Sequence, residues 1–152
     1  MGSHVHARRA RQRGEKIEAM FSVETIGCYD DAPGTQRYPP PFGWFYPDTG
    51  NFIAIVANLA SRRLLGAVTR SFRRQTTVPV EAVAAPGWIT GLGWSDHWSF
   101  WKHGYPAVMV TDTALFRYPH YHTAADTPDK IDFDRMARVV TGLARVVVDL
   151  AG

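Results

Sequence analysis

Short apolar runs alternate along this chain with stretches in which apolar residues recur at helical spacing. The runs are rich in β-branched residues and predict four strands, at residues 21–29, 52–57, 78–83 and 106–111. Between the first two, residues 31–50 hold so many prolines and glycines that we expect one long surface loop there.

The helical stretches predict four helices. Two lie at residues 4–13 and 62–74, a short one runs from an N-cap at Ser95 to a stop at Gly104, and the last begins near Asp134. A 4-3-4-3 spacing in the last helix predicts that its buried face consists of Met136, Val140, Leu143, Val147 and Leu150. Strands alternating with amphipathic helices predict an α/β fold, a three-layer sandwich with helices on both faces of a mostly parallel sheet.

The composition narrows the class of protein. A length of 152 residues, with 45% hydrophobic and 20% charged residues, fits one globular domain or a piece of a larger one. No apolar run approaches the roughly 18 residues of a membrane span, and the single cysteine, Cys28, excludes an internal disulfide or a Cys-rich zinc site. Arginine clusters accompany the net charge of +3, but without a nucleic-acid reader motif they are better explained as solvated helix faces.

Polar residues near predicted strand ends carry the candidate chemistry, because open α/β sheets bind ligands outside the carboxyl ends of their strands. Glu24 lies late in an apolar strand, where a carboxylate must be paired, hydrogen-bonded or bound to a metal. A salt bridge or a backbone cap explains Glu24 as readily as a metal does. Asp96 and His97 follow a Gly-rich turn; an acid beside a histidine can orient a metal ligand, although helix capping alone accounts for Ser95 and Asp96.

The segment YPHYHTAADTPDK, residues 118–130, is a more specific candidate. His120 and His122 share a face if the segment is extended, and neutral imidazole is a common zinc ligand. Asp126 could orient or cap nearby; the competing interpretation is a surface loop whose aspartate and threonine cap a turn. No HExxH, GxSxG or GxxxxGK[ST] motif occurs, so the corresponding zinc-protease helix, nucleophile elbow and phosphate loop are not expected.

Three motifs follow one another in order: VETIGCYDDAPGTQRYP, GWSDHWSFWKHGYPAVMVTDT and YPHYHTAADTPDKID. Together they resemble the second half of the di-zinc aminopeptidases of metallopeptidase family twenty-eight, relatives of glutaminyl cyclases and of the transferrin-receptor ectodomain. The resemblance implies a zinc-exopeptidase fold that is incomplete at the amino terminus, with residues 1–152 forming the carboxyl-terminal half of a peptidase catalytic domain. It also implies two zinc ions in the intact site, roughly 3.5–4 Å apart.

By this resemblance, Glu24 ligates one zinc and His122 the other, whereas His120 has no ligand role. Three residues are expected to support the site from beside it: Asp96, His97 and Asp126. The family's other ligands, the bridging aspartate and the general-base glutamate have no counterpart among these 152 residues, so no catalytic residue is assigned. One carboxylate and one imidazole are fewer than the three protein ligands of a catalytic zinc.

The resemblance therefore implies a zinc-dependent aminopeptidase domain that hydrolyses the bond next to a free amino terminus and is inactive as this chain alone. The alternative is a non-catalytic binding or structural domain of the same fold. Trp44, Phe45 and Tyr46, at the tip of the Pro-rich loop, are the candidate wall of a substrate pocket, with a floppy hydrophobic flap as the competing interpretation.

The sequence also leads to expectations about binding partners and cellular compartment. A peptide substrate is expected if an amino-terminal half completes the site, and neither nucleic acid nor a membrane span is expected. Unpaired sheet edges are expected to favour self-association, with residues 52–57 and 106–111 as the segments that aggregate. The sequence as given has no signal peptide, so the default compartment is the cytoplasm, although an amino-terminal half could carry a signal.

Overall fold

The structure, a computed structural model, describes residues 2–152. Its helices and strands are α1 (Gly2–Gln12), β1 (Met20–Val23), β2 (Ile53–Ala57), α2 (Arg62–Gln75), β3 (Val80–Ala84), α3 (His97–Lys102), β4 (Ala107–Thr111) and α4 (Phe133–Ala151). Short 3₁₀ turns lie at Phe42–Trp44, Leu59–Ser61, Ala114–Phe116 and Pro128–Lys130. In this part of the chain, no helix combines the length and the hydropathy that crossing a bilayer requires.

The four strands form one sheet in the order β1-β4-β2-β3. β1 pairs with β4 and β2 with β3 in parallel, whereas β2 and β4 are antiparallel. The prediction of an α/β fold with a mostly parallel sheet is therefore confirmed.

The apolar runs that were expected to aggregate at sheet edges do not lie at an edge. Residues 52–57 and 106–111 contain β2 and β4, the two inner strands, and every residue of both strands is buried. Strands covered on both faces read as continuous apolar runs, which explains their composition. The edges of this sheet are β1 and β3.

The two faces of the sheet are covered differently. On one face, α2 and α4 pack over a core that includes Ile55 and Val110. On the other face, α1 and α3 cover the side of β1 and β4. Over β2 that second layer is built from loop residues such as Tyr38 and Phe42, which pack against Val56. A cleft opens where the helical layer is missing.

The first strand is shorter than the predicted range of 21–29. β1 ends at Val23, and Thr25 has a φ of 40°, a value that a β-branched residue rarely adopts and that turns the chain out of the strand direction. Glu24 lies just beyond the strand, and its amide still donates to the Val110 carbonyl at 3.0 Å. The carboxylate is therefore held at the carboxyl end of β1.

Ser95 does not cap α3, contrary to the prediction. Asp96 occupies the cap position without a side-chain capping bond, and the Ser95 hydroxyl instead shares a hydrogen bond of 2.7 Å with the Ser22 hydroxyl of β1. Ser95 thus ties the Gly-rich turn to the edge strand. Gly104 does follow the helix end, with a φ of 78°.

The buried face of α4 differs from the prediction. Val139, Gly142, Leu143 and Val146 are the buried residues, whereas Val140, Val147 and Leu150 are exposed. The helix is apolar on more than one face, so spacing alone does not select between the faces. Close packing determines which face is buried. A Cβ on Gly142 would lie 3.0 Å from the Phe72 ring of α2, so the face of α4 that contains Gly142 is the one that packs on α2.

Two adjacent valines test this assignment. Val146 is 0% exposed and Val147 is 51% exposed. We expect Val146→Ala to lower the free energy of unfolding by about 2 kcal/mol, because it removes two buried methyl groups and leaves a cavity. Val147→Ala should change it by no more than about 0.5 kcal/mol. Urea denaturation of both variants measures the difference, and equal losses would contradict the observed helix face.

Candidate active site

A cleft of about 800 Å³, counting its open mouth, lies over β2 and β4. Its floor is apolar and consists of Phe52, Ala54, Val56 and Met109. The long loop after β1 supplies one wall, and the Gly-rich turn before α3 supplies another. Glu24 and Tyr121 line the same cleft, so a carboxylate at a strand end faces a largely apolar space.

Glu24 is half-buried, and its backbone amide is paired with β4. Within residues 2–152, none of the ion pairs involves its carboxylate. The salt bridge that offered an alternative explanation is therefore not found in this part of the chain. A half-buried carboxylate without a cationic partner is suited to bind a cation or a polar ligand from outside these residues.

Strained backbone is concentrated at this end of the sheet. The non-glycine residues with positive φ in the described ranges are Thr25, Thr113, Ala114 and His122. They lie in the loops that follow β1 and β4, the two parallel strands whose carboxyl ends meet here. Such backbone costs free energy and tends to occur at functional sites, which supports this edge as the candidate site.

His122 is exposed, and its ring stacks on Tyr121 with the centroids 3.9 Å apart. Burial raises the pKa of Tyr121, and the charges of Glu24 and Asp112 add to the effect. The loop of His122 thus reaches the cleft that Glu24 lines. Its ligand role stays a prediction.

His97 is fully buried and Asp96 is exposed. The Nε2 atom of His97 lies 2.6 Å from the Leu92 carbonyl and must donate to it, so the neutral ring carries its proton there. Burial lowers the pKa of His97, and the nearby charges of Glu24 and Asp96 only partly oppose this. The histidine therefore fixes the Gly-rich turn in the neutral form, while its Nδ1 atom has no partner among residues 2–152.

The remaining predicted site residues occupy different environments. Asp126 is exposed and accepts a hydrogen bond of 2.9 Å from the Tyr118 hydroxyl, which joins the two ends of the loop that contains His122. Tyr46 lines the cleft, and its hydroxyl donates to the Ala82 carbonyl at 3.1 Å. Trp44 and Phe45 are not in the cleft lining and are 85% and 75% exposed.

Sequence reasoning missed Asp112, which follows β4 and is almost fully buried. Its carboxylate accepts hydrogen bonds from the amides of Gly27, Cys28 and Ala114, at 2.8–3.1 Å. Burial raises the pKa of Asp112, although these amide donors favour its charged form. An acidic residue directly after an apolar strand was the signal, the same signal that pointed to Glu24.

Arg117 was missed as well. It is buried and donates to the Gln36 side chain and to the carbonyls of Cys28 and Phe52, at 2.8–3.0 Å. Its guanidinium also lies over the Phe52 ring, 4.6 Å from the centroid. Arg117 therefore ties the loop after β4 to three points of the segment between β1 and β2. Arg117 lies in a loop, where residue spacing has no regular period, so its burial could not be predicted from the sequence.

The residues present do not form a complete zinc centre by themselves. Among residues 2–152, no group of three or more His, Cys, Asp or Glu side chains is arranged to hold a metal. A catalytic zinc has three protein ligands, so Glu24 and His122 fit only as contributors to a site with further ligands.

Cys28 offers a measurable property of this region. Burial raises the pKa of its thiol from 9.0 to about 11, with a smaller contribution from Asp112. Near pH 8 the folded chain should hold about 100-fold less Cys28 thiolate than a thiol of ordinary pKa. We expect the rate of alkylation to rise with a midpoint near pH 11 in the folded chain and about 9 in urea. Asp112→Asn should lower the folded midpoint, and a folded midpoint at or below the value in urea would contradict the assignment.

Comparisons with known proteins place the chain in a family. The family model for peptidase family M28 matches residues 1–147. The uncharacterized protein YfbL of Escherichia coli is 40% identical over 144 residues, which cover 94% of this chain and 44% of that protein. A probable leucine aminopeptidase of Arthroderma otae is 47% identical over 147 residues, covering 93% of this chain and 34% of the relative.

Solved structures show the same fold. The LapA aminopeptidase of Legionella pneumophila superposes with a TM-score of 0.73 at 18% identity, over 99% of this chain and 35% of that chain. An aminopeptidase from Aneurinibacillus superposes with a TM-score of 0.59 at 20% identity, over 98% of this chain and 30% of that chain. The chain thus spans less than half the length of each of these proteins. Because the family model matches residues 1–147, the chain belongs to peptidase family M28.

Proposed function

We propose that this chain is the carboxyl-terminal half of the catalytic domain of a zinc-dependent aminopeptidase. The observation that carries the proposal is the Glu24 carboxylate, which is half-buried without an ion-pair partner among residues 2–152 and faces an apolar cleft. Membership of peptidase family M28 supports peptide hydrolysis, and relatives named leucine aminopeptidase support an amino-terminal substrate.

In this proposal Glu24 and His122 each hold one of two zinc ions, and the remaining ligands and the general base come from residues outside this chain. Zinc would supply a Lewis acid and an activated water. The chain's own contribution is the cleft: its floor is apolar, and Tyr46, held by the Ala82 carbonyl, lines it. Asp126 and His97 hold the two neighbouring loops in place.

The incomplete donor set favours one further candidate function, a non-catalytic binding or structural domain of the same fold. This alternative is supported because residues 2–152 contain no group of three side chains arranged to hold a metal ion. The nucleotide sequence upstream of the first codon separates the two. An in-frame segment encoding a His-x-Asp motif and a Glu-Glu pair favours the enzyme, whereas stop codons or a frameshift favour the non-catalytic domain.

The enzyme proposal predicts that the isolated chain does not hydrolyse leucine p-nitroanilide with or without zinc, because a base and ligands are missing. We expect activity when the preceding part of the Arthroderma otae relative is joined to residues 1–152 in one chimeric chain. In that chimera, Glu24→Ala or His122→Ala should lower kcat/KM at least about 100-fold, since even loss of a group that only supports a metal ligand costs 10–100-fold.

His120→Ala is the matched control, because it removes a second histidine two residues from His122 and should leave kcat/KM nearly unchanged. Zinc-dependent hydrolysis by the isolated chain, abolished by Glu24→Ala, would contradict the predicted inactivity. A folded chimera without activity would favour the non-catalytic domain.

We also propose that the isolated chain self-associates through the free edge of β1. The amide of Met20 donates to the Pro106 carbonyl just before β4, and that of Glu24, just after β1, donates to the Val110 carbonyl. Successive amides of a strand point to opposite sides, so those of Phe21 and Val23 point to the open edge. An unpaired edge of this kind is a template for another strand.

Sedimentation of the isolated chain should detect dimers or larger species. Val23→Lys should reduce them, because a lysine on an edge strand opposes pairing. Val148→Lys, on the exposed side of α4, is the control and should leave association unchanged. A monomer at high concentration, or association lost only in Val148→Lys, would exclude the β1 edge.

A further inference from the structure

A second cluster of histidines lies away from the cleft, where α1 meets the end of α3. The rings of His4 and His103 are in contact, with centroids 4.8 Å apart and planes inclined by 47°. Among residues 2–152, the Nδ1 atom of His4 and the Nε2 atom of His103 are buried without a hydrogen-bond partner. Both side chains are half-buried, yet these two nitrogen atoms are shielded from solvent, and buried polar atoms are nearly always satisfied.

Two serines accompany the two histidines at this helix contact. Ser3 precedes His4, and Ser99 lies one helical turn before His103 on the same side of α3. The hydroxyls of these serines share a hydrogen bond of 3.1 Å, and Ser99 is fully buried. The helix contact therefore places two imidazoles and two hydroxyls beside the apolar cluster of Ala7, Ala10 and Phe100.

The geometry points to a two-histidine site for a divalent transition-metal ion of the zinc class, with water completing its coordination. Imidazole is a preferred ligand of such ions. Two imidazoles that share one ion at metal–nitrogen distances of about 2.0–2.1 Å have ring centroids roughly 5 Å apart, close to the observed separation. Two protein ligands are fewer than a catalytic zinc requires, so this is a binding site with no catalytic role.

Neighbouring charges do not block the site. Lys102 adjoins His103 in sequence, but its ammonium lies over the Trp98 ring at 5.0 Å and its side chain is exposed. Arg8, one turn after His4, is exposed as well. Neither residue pairs with the histidines.

The test uses the full 152-residue chain with Glu24→Ala and His122→Ala, so that the zinc ligands of the proposed function are removed. Calorimetric titration with Zn²⁺ should find one ion per chain. His4→Phe keeps a ring in the contact but removes the ligand, and we expect it to weaken binding roughly tenfold or more. His103→Asn should have the same effect. His6→Asn, two residues along α1 and exposed, is the matched control and should bind as before.

Thermal melting provides the second readout. Zn²⁺ should raise the Tm of the parent chain, because an ion that binds only the folded state stabilises it, and should not raise that of His4→Phe. In EDTA the two chains should melt alike, which separates loss of the ligand from loss of the fold. Absence of saturable binding, or binding that neither His4→Phe nor His103→Asn weakens, would overturn the site and leave the proposed function untouched.

Discussion

The arrangement of this end of the protein depends on one buried carboxylate. Asp112 leaves β4 and accepts the amides of Gly27 and Cys28 from the loop after β1, together with that of Ala114 in its own loop. Parallel pairing brings the ends of β1 and β4 to one edge, but only these bonds fix the paths of the two loops relative to each other. Because an unsatisfied buried carboxylate is costly, the three amides and Asp112 require one another.

Arg117 extends this organisation to the long segment between β1 and β2. Its contacts with Gln36 and with the carbonyls of Cys28 and Phe52 join the Pro-rich loop, the segment after Glu24 and the start of β2. A planar guanidinium spreads its five donors over three nitrogen atoms and so suits such divergent contacts, whereas a lysine presents all its donors from one nitrogen. The candidate zinc ligands lie in loops, yet a buried polar network, rather than helices or strands, holds those loops.

Much of the fold could be predicted because hydrophobic spacing reports burial. The inner strands appeared as unbroken apolar runs, and α2 appeared within one residue of its observed end. Spacing failed where two arrangements satisfy it equally. On α4 the spacing predicted that Val140 and Val147 are buried, but both are exposed. The buried face is the one where Gly142 lies close to Phe72. It also extended β1 too far, since the positive φ of Thr25 has no signature in the sequence.

For the candidate site, Glu24, His97 and His122 could be predicted because they lie in the motifs that resemble the family. Asp112 has the same sequence signal as Glu24, but its role, like that of Arg117, depends on backbone groups distant in sequence, which no local pattern shows. The exposure of Trp44 and Phe45 could not be predicted either, because a Pro-rich loop has no regular spacing that distinguishes buried from exposed positions.

The sheet order has a consequence for the order of folding. Within residues 2–152, β1 pairs only with β4, so the partner of Met20 is Ala107, which lies far along the sequence. β2, β3 and α2 are nearly contiguous and can associate early, whereas closing the sheet through β4 spans most of the chain and carries a large loop-closure entropy. Among residues 2–152, the end of the sheet that bears Glu24 therefore depends on contacts that span much of the sequence and form late.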